Sequence, residues 1–185
     1  MGITTMLAMA ALAAVPAQAN ETEQPSGLPV TACVDTGPQI VLGRQAEAIA
    51  GSMFAQAGVD LKWRPSWGPC PADAIRIAFT VNTPTDYFPG ALAFSHPYEG
   101  VHIRIFLDRV TQTVVSGNVP CLLAHVMVHE ITHILQGVSR HSLTGVMKPR
   151  WDQDDYSQMA WKPLPFTKGD ILLIQLGMKA RARVP

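Results

Sequence analysis

The chain has 185 residues, with 14 basic and 14 acidic side chains and a formal net charge of zero. That length suits one domain built on one core. The balanced charge, with no basic patch interleaved with aromatics, argues against a nucleic-acid partner.

Residues 1–19 carry no charged side chain and end in Ala17-Gln18-Ala19, the pattern of a secretory signal peptide with an A-x-A cleavage site. The apolar stretch is too short to span a bilayer and no stop-transfer charges follow it. The expected product is secreted or periplasmic, without stable membrane insertion. One feature of such leaders is missing, because no Lys or Arg precedes the apolar region. Residues 20–27 read as a loose polar lead-in and 28–185 as the single domain.

Leu28 to Val34 is a β-prone run, and Asp35-Thr36-Gly37-Pro38 after it offers an N-cap and a first-turn proline. Leu42, Ala46, Ile49 and Met53 then recur at helical spacing up to Gly58. Val59 to Arg64 makes a second strand, and Pro65 to Pro71 a loop holding Trp67 and Cys70. Ile75, Ile77, Phe79 and Val81 alternate with Arg76, Ala78 and Thr80, the period-two signature of a half-buried strand. Ala91 to Ser95 reads as a short fourth strand. Val101 to Leu107 alternates as a fifth, and Asp108 to Val119 leads into the next helix. The order is βαββββα. His96 and His102, in or beside strands, read as surface histidines.

Cys33, Cys70 and Cys121 are the three cysteines, and in an oxidising compartment they make one disulfide and one leftover thiol. Three pairings are open. Cys33 with Cys70 is favoured, because each follows a strand-like segment, while Cys121 reads as a buried thiol in an apolar helix.

The informative stretch is His129-Glu130-Ile131-Thr132-His133, inside an apolar run that starts after Pro120 and stops at Gly137. Residues four apart share a helix face, so His129 and His133 present two imidazoles to a single Zn²⁺. Glu130 is turned away from that pair and is the expected general base on a metal-bound water. A catalytic zinc takes three protein ligands and keeps one position open. His141, brought back by a chain reversal at Gly137, is the candidate third ligand. His125 competes for that place, since Cys121, His125, His129 and His133 fall at steps of four. That stripe drifts about 40° per step, which suits His125 to a supporting or core role. Residues 140–147 read as a loop.

HEITHILQGVSRHS followed by GVM resembles the metzincin clan of zinc peptidases, whose pattern is HExxHxxGxxH followed by a methionine turn, and within it the matrixin-like branch and secreted bacterial relatives with a longer spacing. The resemblance implies that His129, His133 and His141 are zinc ligands, Glu130 the base and Met147 the turn residue beneath the metal. Here Gly137 comes one residue late and His141 two residues late. The resemblance also implies an α+β, zincin/metzincin-like domain with a mixed five-stranded sheet, an active-site helix, a methionine turn and a C-terminal helix. Its fourth strand, Ala91 to Ser95, would be the antiparallel edge that binds an extended peptide.

Residues 148–165 are rich in Pro, Trp and Asp and read as irregular structure, with Trp151, Tyr156 and Trp161 lining a cleft or packing on the core. Thr167 and Asp170 form a capping-box-like start for a last helix carrying Ile171, Ile174 and Met178, with a basic end at Lys179 to Arg183. No separate oxyanion donor stands out. The expectation is a monomeric zinc metalloendopeptidase acting on peptide or protein substrates. The alternatives are a zinc-binding module without activity, its site closed by a fourth ligand such as His125 or Asp152, and a zinc hydrolase of a non-peptide substrate.

Overall fold

A computed structural model describes residues 29–95 and 101–182. The expected leader and lead-in, together with His96 and Arg183, lie outside the described residues. Five strands and five helices follow one another as β1 (Pro29–Asp35), α1 (Ile40–Gln56), β2 (Asp60–Pro65), β3 (Ile75–Thr80), β4 (Ala93–Ser95), β5 (His102–Phe106), α2 (Leu107–Thr113), α3 (Val119–Gln136), α4 (Gln153–Met159) and α5 (Lys168–Arg181). The architecture is α+β, with a mixed five-stranded sheet in the order β2-β1-β3-β5-β4. The first four strands in that order run parallel and β4 pairs antiparallel with β5 at the edge.

Alternation decides which face of the sheet is buried. Ile75, Ile77, Ile103 and Ile105 enter the core with Ala50, Phe54, Leu123 and Met127 of α1 and α3. Arg76, Ala78, His102 and Arg104 alternate with them on the other face. The interior strand β1 breaks the alternation, because Ala32, Cys33 and Val34 are all buried. Cys33 is bonded to Cys70 across a Cα–Cα distance of 6.2 Å, inside the usual disulfide range. Cys121 is a free thiol and only half-buried, not the buried one expected.

Three boundaries differ from the sequence reading. Helix α1 starts at Ile40 with no side-chain cap, because the Asp35 carboxylate is engaged by the Gly37 N–H in its own turn. The stretch after β5 is not a plain lead-in, since Leu107 ends the strand pattern and buries with Val110 as helix α2. Residues 148–165 are not wholly irregular either. Asp152 accepts from the N–H groups of Asp154 and Asp155, and the Asp155 carboxylate accepts from the Asp152 N–H. That reciprocal box starts helix α4. Helix α5 carries the expected capping box of Thr167 and Asp170.

Candidate metal centre

Helix α3 is apolar nearly all round, as a central core helix must be. Pro120 stands in its first turn, and Gly137 closes it in the left-handed conformation at φ 66°, a region open to glycine at no steric cost. Its polar residues therefore need partners inside the fold. His129 and His133 find them at Nδ1, with the carbonyl oxygens of Val146 at 2.9 Å and Val138 at 3.1 Å. A carbonyl only accepts, so each ring donates from Nδ1 and keeps its lone pair on Nε2. The two Nε2 atoms then face each other at 3.0 Å. Two lone pairs at that separation repel unless a cation lies between them, and the donor set fits a metal on that ground.

His141 completes the group. Its ring centre lies 5.2 Å from that of His129 and 4.9 Å from that of His133. Ligand nitrogens of all three lie within 4.8 Å of one another, with His141 the exposed member. The loop that carries it is pinned at both sides. Ser142 donates its N–H to the Met147 carbonyl and its hydroxyl to the Asp170 carboxylate at the start of α5. Asp170 is 1% exposed and also accepts from the Thr167 N–H and hydroxyl, with Arg140 at 3.5 Å. Met147 is fully buried in the turn after Gly145.

His125 is not part of the group. Its Nδ1 lies 2.7 Å from the Cys121 carbonyl and its Nε2 accepts the Leu164 N–H at 2.9 Å, so both ring nitrogens are used in bracing α3 against the C-terminal segment. Asp152 is likewise occupied, capping α4 and pairing with Lys148. Among the described residues the metal-capable group has three members, and His125 and Asp152 are both engaged elsewhere.

Burial depresses the His129 and His133 imidazoles to about 4, so both are neutral and free to ligate near pH 7. The Glu130 carboxyl is pushed upward by its withdrawal from water, against the opposing pull of the Ser95 hydrogen bond and the neighbouring histidines. Ser95, the last residue of β4, donates its hydroxyl to Glu130 Oε2. Sequence reasoning did not find Ser95, because a serine 35 residues upstream in a three-residue strand carries no spacing signal.

These side chains line a cleft of about 760 Å³ between β4 and the 148–151 segment. Tyr156 and half-buried Trp151 are in its wall, whereas Trp161 is 79% exposed and outside it. His102 is exposed, as expected. The chain matches no known protein family and shows no significant sequence match to a curated protein.

Proposed function

We propose that this protein is a secreted zinc metallopeptidase with a metzincin-like catalytic domain. One observation carries the reading: three imidazoles converge in an open cleft beside a carboxylate that is not among the metal-capable donors. His129, His133 and His141 would hold the ion. When bound, zinc supplies Lewis acidity that polarises a carbonyl and lowers the pKa of water.

The chain's own residues do the rest. Glu130 takes a proton from the attacking water and returns it to the leaving amine, and its raised pKa moves it toward the range suited to a general base. Ser95 holds one carboxylate oxygen, which leaves the other to face the water. Strand β4 is an edge, so an extended peptide can add to it through main-chain hydrogen bonds and run along the cleft. The leader-like residues 1–19 and the Cys33–Cys70 disulfide support an oxidising destination.

Metal analysis by mass spectrometry tests the centre. Purified protein should carry close to one zinc per chain, and His141→Ala should lose most of it. Glu130→Gln should keep the zinc and lose peptide hydrolysis, so full activity in that variant would remove Glu130 from its role.

A further inference from the structure

The face of the sheet away from the helices carries a second depression, of about 360 Å³, lined among others by Arg76, Arg104, His102, Asp35, Tyr87 and Phe94. Strand register puts the basic residues together. Arg76 is opposite His102, and Arg104 is opposite Ala78, two residues further along β3. Arg76 and Arg104 are therefore diagonal neighbours on one face, roughly 8 Å apart at Cα from the strand spacing and a two-residue rise. Like charges so placed repel, and no carboxylate among the described residues pairs with either. Asp35 is the single acid in the lining and is turned toward the Gly37 N–H. Among the described residues of this lining, Arg76 and Arg104 outnumber Asp35 and leave an excess of positive charge.

The position of the depression tells what it is for. Phe94 borders both this groove and the cleft of the metal centre. In β4 the Ser95 side chain reaches Glu130, while Phe94, one residue before, meets Tyr87 edge-on with ring centres 5.4 Å apart. The two depressions lie on either side of one edge strand, so a polypeptide leaving the cleft past β4 meets the arginines next.

We propose that the groove at Arg76 and Arg104 is an accessory docking site for an acidic segment of the polypeptide substrate, with Tyr87 and Phe94 as its apolar shoulder. The substrate role rests on the peptidase reading, whereas the binding itself does not. Guanidinium groups pair with carboxylates in a two-pronged geometry that lysines do not reproduce. The preferred substrate is accordingly a protein with an Asp- or Glu-rich stretch beside its cleaved bond.

Two measurements separate the site from the peptidase reading. In the first, a fluorescein-labelled ten-residue Asp/Glu/Gly peptide is titrated by anisotropy with full-length Glu130→Gln protein, in low salt, beside an Asn/Gln counterpart. The acidic peptide should bind, the neutral one should not, and Arg76→Gln/Arg104→Gln should weaken binding roughly tenfold. If the double variant melts early, Arg104→Gln alone, at an exposed position, carries the test with a smaller loss. Equal binding of both peptides, unchanged affinity in the variants, or full displacement by inorganic phosphate at matched charge would overturn the proposal. In the second, kcat/KM is compared for a peptide substrate with and without an acidic extension. The arginine variant should lose only the advantage of the extension, and an advantage that survives both substitutions would overturn the substrate role. If wild-type protein cleaves neither peptide, the peptidase reading and the substrate role fall, while the anisotropy result stands as an acidic-peptide site.

Discussion

Ser95 and Glu130 show what a single hydroxyl does beside a carboxylate withdrawn from water. The hydrogen bond fixes the carboxylate's orientation, and an orienting contact of this kind is worth about 1 kcal/mol. Ser95→Ala is expected to lower kcat roughly five- to tenfold with zinc content unchanged, and Ser95→Thr, which keeps the hydroxyl, to recover most of it. Equal kcat in all three proteins would show that Glu130 needs no such support. The histidines give a second expectation at this scale. Without metal, His129 and His133 titrate at about 4 in the folded chain against an ordinary 6.5. The unfolded chain therefore takes up protons first as pH falls. Stability of the metal-free protein should drop between about pH 6.5 and 4, be complete above that window, and level off below it. Melting curves of chelated protein across the window check this, and replacing both histidines by alanine should flatten the slope. At this scale the sequence was readable wherever chemistry repeats with a helical period. His129, Glu130 and His133 have such a period; Ser95 meets them only through the fold.

Elements differ in how openly they announce themselves. Helix α3 is long and ends in an obligate turn at Gly137, and α5 carries its cap in plain view at Thr167 and Asp170. Helix α4 is seven residues long, too short for a periodic signal, and it hides among Pro and Trp. Its start is written in Asp152 and Asp155 alone. Helix α2 is hidden because the buried Leu107 continues the alternation of β5 before turning into a helix. The most connected residue between elements is Asp170, which links the first turn of α5 to the loop that presents His141. Removing it leaves the Ser142 hydroxyl and Thr167 N–H without a buried acceptor. Asp170→Ala should cost about 3 kcal/mol of stability and weaken zinc retention against a chelator, although the residue touches no ligand nitrogen. A variant that melts low but holds zinc as tightly as wild type would mean that the loop is fixed by other contacts.

On the scale of the whole molecule, a period-two run tells which face of a strand is buried but not which strand lies beside it. The five strands were therefore legible one by one, while the order β2-β1-β3-β5-β4 was not. The antiparallel edge was anticipated only through the family resemblance. The Cys33–Cys70 bond ties interior β1 to the loop between β2 and β3 over 37 residues. A loop of that size is worth about 4 kcal/mol in the chain-entropy account. Replacing both cysteines with alanine should lower the melting midpoint by on the order of 10 °C, and a reductant should have the same effect on wild type.

The three residues of β4 have a further consequence. Neighbouring side chains of a strand point to opposite faces, so a slip of one position exchanges the two faces. In β4 such a slip would turn the Phe94 ring toward the glutamate and the Ser95 hydroxyl toward the arginines. So short a strand has little side-chain packing to fix its own alignment. Arg109, donating to the Phe88 and Ala91 carbonyl oxygens at 2.8 Å and 2.9 Å, and the Phe106 N–H bonded to the Leu92 carbonyl hold the preceding loop instead. The distance along the chain from Ala91 to Ser95 is thus a gauge. A substitution in that interval alters one side chain on one face, whereas a change in its length by one would exchange the two faces of the strand at once.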